Sequence, residues 1–441
     1  MTVPSPVFKP ARKAIEDTLL LKIHGRVTQV VGLVVEANGP NARVGDLCTI
    51  ETGGPEPIRA EVVGFRGDRV LLMPLGELSG VRAGCIVRGS GRCLQVPTGD
   101  SLLGRTLNGL GEPMDGLGPL HATGVYPVYG TPPNAMERTM IQHPLPTGVR
   151  AIDLSLTIAE GQRMGIFSGS GVGKSTLLGM IARNAESDVN VIALVGERGR
   201  EVREFIQQDL GEEGLKRSVI VCATSEQPAL VRIKAALTAT AIAESFRDQG
   251  KRVLLMMDSV TRFCMAQREV GLAIGEPPST RGYTPSVFAM LPKLMERAGN
   301  GKVGSITGLY TILVEGDDQN EPIADASRSI LDGHIVLSRK LNSKGHYPPI
   351  DVLQSLSRVM PMIVTEKHAD LARDLRELIA AYSDIEDLVS IGAYKPGSKP
   401  IADRALAKWD AINGFLRQKK SEASDFNTTL WGLEEILGEK V

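Results

Sequence analysis

Aromatic side chains are scarce in this 441-residue chain, where Phe, Trp and Tyr together make up 4%. The stretch from 25 to 96 holds Phe65 alone. A domain that reads single-stranded RNA stacks bases on exposed aromatics set among basic residues, so this scarcity argues against an RNA-reading module. Excess charge is missing too. The 50 Lys and Arg meet 51 Asp and Glu, which leaves the whole molecule without an electrostatic pull toward nucleic acid or anionic lipid, a local patch excepted. The five cysteines, Cys48, Cys85, Cys93, Cys222 and Cys264, form no CxxC pair and no His/Cys cluster of zinc-site spacing, and read as free thiols in a reducing compartment. No apolar run approaches the roughly 18 residues needed to span a bilayer. The opening MTVPSPVFKPARKAIEDTLLL carries charges inside its apolar part, unlike a secretory signal. The expectation is a soluble cytoplasmic protein.

What is present is organised in blocks. The length calls for two or three domains. Residues 1–24 contain ARKAIEDTLLLK, an amphipathic pattern with Ala14, Ile15, Leu19 and Leu20 on or near one face, which docks either on its own domain or on a partner. Residues 25–96 carry short β-branched runs separated by Gly, Asn, Pro and Asp, the pattern of a small all-β barrel or sandwich. A Gly/Pro-rich bridge follows, in which the chain cannot stay helical for long. Residues 97–365 then alternate apolar runs (RMGIFSG, VNVIALVG, SVIVCAT, RVLLMMDS, TGLYTILVEG) with helical stretches. Strands this uniformly apolar are buried on both faces, which argues for an α/β fold with a parallel sheet covered by helices. From 366 to 441 the pattern has a helical period throughout.

The chemistry concentrates at SGSGVGKSTLL, residues 168–178. A strand runs into a glycine-rich turn and then into a helix opened by Lys174, Ser175 and Thr176. Gly169, Gly171 and Gly173, with Ser170 and Val172 between them, let the backbone curl so that its N–H groups point at anionic oxygens, and the helix adds its positive end. Lys174 is expected to reach the β- and γ-phosphates of a nucleotide and the Ser175 hydroxyl to coordinate Mg²⁺. The usual first glycine of this motif is Ser168 here, small enough to keep the turn. Hydrolysis also needs carboxylates. Asp258 ends the strand RVLLMMD; such a residue either helps hold the metal or caps the next helix, and beside a phosphate loop the metal role is the expectation. Glu197 follows VNVIALV; it is either a solvated loop glutamate or the group that orients and deprotonates the attacking water, with Arg198 beside it on the transferring phosphoryl group.

With these segments in view, the chain resembles the catalytic subunits of the rotary ATP synthase family, and more closely the type III secretion ATPases. The resemblance is carried by LVGERGREVREF, MMDSVTRFCMAQREVGLAIGEPPSTRGYTPSVF, VEGDDQNEPIADASRSILDGHIVLSR and GHYPPIDVLQSLSRVM, and it covers nearly the whole chain. Within that group GFRGDRVLLMPLGEL and GSITGLYTILVEGDDQNEPIADASRSILDGHI look like the flagellar export ATPases, with the injectisome ATPases as the alternative. The resemblance implies a β-barrel, a RecA-like P-loop domain and a helical C-terminal domain. It implies ATP and Mg²⁺ as ligands, and a six-fold ring at the cytoplasmic base of the inner-membrane export apparatus. A stator-like regulatory protein at the N-terminus, a central stalk, chaperone–substrate complexes and an export gate would be its partners, and nucleic acid would not. By the same resemblance Arg358, in SLSRVM, is inserted into a neighbouring subunit's site, and Tyr347, in GHYPPID, stacks on adenine. On residue patterns alone Arg358 reads as a surface arginine or a local ion pair. GEPPSTRGYTPSVF matches a loop facing the central channel, where the prolines and Tyr283 line a hole or Pro277 and Pro278 simply stiffen a turn. A ring-shaped RNA translocase is the rival from another class, and a regulatory subunit that holds nucleotide without hydrolysing it is a second. The pairing of Lys174 with Glu197 and Asp258 argues against the latter.

Overall fold

The computed structural model describes residues 24–314 and 321–438. The amphipathic segment expected before residue 24 lies outside the described residues. The chain divides into two compact units, one ending at Cys93 and the other beginning at Leu94.

In the first unit β1 (His24–Val31), β2 (Val34–Asn38), β3 (Asp46–Glu51), β4 (Ile58–Arg66), β5 (Arg69–Pro74) and β6 (Ile86–Cys93) close into a barrel in the order β1-β2-β5-β4-β3-β6. Alternation along strands such as β3 turns Cys48 and Ile50 inward, where Val35, Val62, Leu72 and Val87 complete the core. Closure leaves no strand edge to manage.

The second unit opens with β7 (Gln95–Thr98), β8 (Thr106–Asn108) and β9 (Gly124–Pro127); β7 pairs with β9, and β8 joins the main sheet. That sheet is built from β10 (Arg163–Ser168), β11 (Val189–Val195), β12 (Ser218–Ala223), β13 (Arg252–Asp258), β14 (Gly299–Asn300), β15 (Ser305–Leu313), β16 (Gly333–Leu337) and β17 (Ile350–Ser357). Its order is β17-β16-β10-β15-β13-β11-β12-β8, with β14 beside β15. The pairs from β16 across to β8 are parallel, and β17 is antiparallel. All seven residues of β11 are buried, as a strand with helices on both faces requires. The covering helices include α1 (Lys174–Asn184), α2 (Ala229–Arg247), α3 (Val260–Ile274) and α4 (Pro285–Met295). Beyond the sheet α5 (Glu366–Ser390), α6 (Pro400–Leu416) and α7 (Phe426–Leu437) pack through Leu375, Leu378, Ile412, Leu416 and Leu433. Thr365 and Asp425 cap the first and last of them, and Tyr382 stacks on Trp409 with ring centroids 3.7 Å apart. Among the described residues no helix is long and apolar enough to cross a membrane.

One buried ion pair ties the Gly/Pro-rich bridge to this core. Arg297 donates to both oxygens of Glu244 on α2, at 2.9 and 2.5 Å, and to the Val128 carbonyl at 2.9 Å; both side chains are 2% exposed. Removing one partner strands the other charge in a dry interior. Arg297→Ala is expected to cost about 3–5 kcal/mol, whereas replacing Arg297 with Met and Glu244 with Leu together costs little or nothing. Thermal midpoints of the three proteins check the contrast.

Candidate active site

The parallel strands end on one edge of the sheet, and the site is assembled there. β10 lies between β15 and β16, and its last residue, Ser168, sits opposite Leu313 and Leu337. The left-handed turn that follows rests on Gly171 and Gly173, at φ of 75° and 91°; Gly169 does not take it up. Ser168 therefore finishes the strand rather than shaping the turn, and its Oγ is buried without a hydrogen-bond partner. Val172 is buried in the core, which leaves its main chain to the loop. No side chain caps the N-terminus of α1 at Lys174, so the first N–H groups of that helix are available to an anion.

Lys174 Nζ makes a short ion pair with Asp258 Oδ1 and lies 3.5 Å from Glu197 Oε1. Thr311 Oγ1, on β15, donates to the same Asp258 oxygen at 2.8 Å. The three sequence-predicted groups thus converge although they come from three different strand ends. Burial disfavours the charged Lys174 ammonium, but Asp258 and Glu197 outweigh it and hold its pKa above the usual lysine value. Burial dominates at Glu197: it pushes the carboxyl up to about 7, Lys174 pulls it down, and Asp258 and Glu201 push it up. A cavity of about 380 Å³ is lined by Gly169, Ser170, Gly171, Gly173, Lys174, Ser175 and Thr176 of the loop and by Glu197, Arg198 and Arg262. The Arg198 side chain is 80% exposed, with Nη1 3.6 Å from Glu201 Oε1.

Arg262 escapes the sequence reading. It stands in the first turn of α3, four residues past Asp258, where Ser259 accepts its N–H as the helix cap. Its Nε is buried without a hydrogen-bond partner. The spacing DSVTR, one helical turn after a strand-end carboxylate, is the signal that could have found it.

Tyr347 lines a second cavity of about 610 Å³, which shares Gly173 and Thr176 with the first. Leu177, Met180 and Pro349 give it apolar walls, and the segment after α6 closes it. Gln418 fixes that segment: its N–H donates to the Tyr347 carbonyl at 2.8 Å, its Nε2 to Gly148 at 2.7 Å, and its Oε1 accepts from Arg150 at 3.0 Å. Nothing in the sequence marks Gln418.

Arg358 is not gathered into this constellation. Because β17 runs antiparallel, its end lies at the far edge of the sheet, where the Arg358 N–H donates to Asp332, whose own N–H donates to Arg163. At about 3.3 Å per residue, Arg163 is roughly 17 Å along β10 from Ser168. The side chain is exposed, and no hydrogen bond or ion pair ties its guanidinium among the described residues. In the loop 275–288 Tyr283 is 4% exposed and packs edge-on against Phe288, while Pro277 and Pro278 are exposed.

Among the described residues no group of three or more His, Cys, Asp and Glu could hold a metal unaided.

Comparison with known proteins finds matches over most of the chain. The model of the ATP synthase alpha/beta family nucleotide-binding domain matches residues 148–357, that family's beta-barrel domain matches 27–91, and the T3SS EscN ATPase C-terminal domain matches 364–435. The flagellum-specific ATP synthase of Bacillus subtilis is 54% identical, over 96% of this chain and 97% of its own. The type 3 secretion system ATPase of Xanthomonas euvesicatoria is also 54% identical, over 92% of each. The assembled ATPase EscN from the type III secretion system of enteropathogenic E. coli superposes with a TM-score of 0.89 at 46% identity, covering 94% of this chain and all of that one. EscN in complex with its central stalk EscO gives 0.88.

Proposed function

The chain belongs to the ATP synthase alpha/beta family, and from that premise we propose how its own residues serve ATP-driven type III export. It is an ATPase whose relatives are flagellum-specific ATP synthases and type 3 secretion system ATPases. The observation that carries the mechanism is the Lys174 ammonium shared between Glu197 and Asp258 at the mouth of an uncapped phosphate loop.

A triphosphate on the loop N–H groups competes with Asp258 for Lys174, which turns toward the β- and γ-oxygens. Glu197, freed of that cation, accepts a proton from the water it orients as the water attacks the γ-phosphorus; the bond to the β-phosphate oxygen breaks and ADP carries its electrons away. Arg198 and Arg262, which line the same cavity, offset charge on the transferring group. Ser175 and Asp258 would hold Mg²⁺, which when bound neutralises charge building on the phosphate oxygens. The apolar walls of the Tyr347 cavity suit adenine.

Arg358, at the far edge of the sheet from its own loop, serves the site of another copy in this reading, so the working form is a ring, six-fold by the family's pattern. Assembled EscN and its EscO complex support a ring with a central stalk. We assign it to the cytoplasmic base of the export apparatus, touching the membrane assembly peripherally, with a stator-like protein on residues 1–24 and chaperone–substrate complexes delivered to an export gate. The flagellar system is the first reading and the injectisome the second, the relatives from the two systems being equally identical at 54%. Expression in Bacillus subtilis lacking its flagellum-specific ATP synthase tests the choice. Motility should return, and Lys174→Ala should abolish it. Failure to restore motility by a chain with full ATPase activity in vitro would assign it to the injectisome.

A further inference from the structure

Although the Arg358 side chain is exposed, the main chain that carries it is pinned. Its N–H donates at 3.0 Å to the carbonyl of Asp332, the residue just before β16. Asp332 is in turn clamped to Arg163, the first residue of β10. Its Oδ2 accepts from the Arg163 N–H at 3.0 Å and from Nε at 3.1 Å, its Oδ1 accepts from Nη2 at 3.1 Å, and its own N–H donates to the Arg163 carbonyl at 2.9 Å. Paired, charge-assisted bonds of this kind fix orientation as well as distance. Glu296 also ion-pairs with the same guanidinium, at Nη1.

The residue before Arg358 is held as well. Ser357 Oγ accepts from Nε2 of the fully buried Gln162 at 3.1 Å and donates to the Thr157 carbonyl at 2.9 Å. Gly333, paired with Ser357, lets the two strands close on each other: a Cβ there would stand 2.5 Å from the Leu356 carbonyl oxygen and 3.0 Å from the Ser357 Cα. β17 lies at one edge of the sheet, and the end of an edge strand is where a fold opens most readily. An arginine that must reach a phosphate in another copy tolerates little play, since a misplacement of about 1 Å can cost about 10²-fold in rate. We propose that Asp332, clamped by Arg163, is a positioning residue for Arg358 and fixes where its guanidinium enters the neighbouring site. The proposal rests on the role in another copy given to Arg358 above.

Complementation between chains tests it, at concentrations where rings form. Asp332→Asn keeps the size of the side chain but sets an amide NH₂ against donors that need acceptors. Its kcat should fall about 10–10²-fold. Its KM for ATP should not change, because Arg163 and the phosphate loop stand at opposite ends of β10. Mixed with Lys174→Ala chains, which bring an intact Asp332 and Arg358, Asp332→Asn chains should regain activity just as Arg358→Ala chains do. A chain carrying both Lys174→Ala and Asp332→Asn should lose most of its power to rescue Arg358→Ala. Arg163→Lys keeps the charge and loses the paired donors, so it should repeat the pattern more weakly; it replaces Asp332→Asn in every mixture if circular dichroism shows that variant unfolded. Native turnover in Asp332→Asn would overturn the proposal. So would a loss that Lys174→Ala chains do not repair, the mark of damage to the chain's own site. If the Arg358→Ala mixture run beside it goes unrescued, the role of Arg358 in another copy fails, and the proposal with it; rescue of that mixture alone defeats only the assignment of Asp332.

Discussion

Glu197→Gln should lower kcat by about 10²–10⁴-fold, the usual contribution of a positioned general base, while ATP still binds with nearly its native affinity. The amide keeps the size and hydrogen-bonding reach of the carboxylate but cannot take a proton. It also removes one of the two anions competing for Lys174, so triphosphate affinity should rise slightly if it moves at all. Burial holds the Glu197 carboxyl up to about 7 in the nucleotide-free chain. A base must be deprotonated to act, so wild-type kcat/KM should fall as the pH drops below about 7 and level off above it, and the variant should lose that limb of the profile. Single-turnover hydrolysis and fluorescent-nucleotide titration across pH check both parts. A Gln variant with native turnover would mean that the attacking water is activated from elsewhere.

Arg358→Ala should fold and bind ATP normally yet lose about 10³–10⁵ in turnover, the range found where an arginine completes a phosphoryl-transfer site from a neighbour. The geometry makes the distinction sharp, because the residue stands at the far edge of the sheet from its own loop. Mixing Arg358→Ala chains with Lys174→Ala chains should therefore restore activity: the first kind offers an intact loop, the second an intact arginine, and some boundaries unite them. No recovery in mixed assemblies would place the arginine's effect within its own subunit.

Much of this arrangement can be read from the residues. The apolar runs ending in Ser168, Val195, Ala223, Asp258 and Leu313 predict a buried parallel sheet, because a strand covered on both faces cannot afford an alternating pattern. The phosphate loop announces itself by local geometry that only glycine tolerates. What stayed hidden depends on long-range packing. β8 is three residues inside a Gly/Pro-rich bridge and becomes a strand only because β12 offers it an open edge. Tyr283 sits among prolines and reads as exposed, but Phe288 and Arg268 cover it. Arg262 looks like any helical arginine until its Nε is found enclosed. The wall of the Tyr347 cavity arrives from some 70 residues downstream, where Gln418 carries no local signature.

The separation of Arg358 from its own loop sets how output should scale with assembly. Copies joined head to tail complete one pocket at each junction, so an open arc of n protomers contains n − 1 competent sites, leaving an idle arginine at one tip and an unserved pocket at the other. Output per protomer would then climb from nothing toward a plateau as arcs lengthen, and only circularisation would enlist every member.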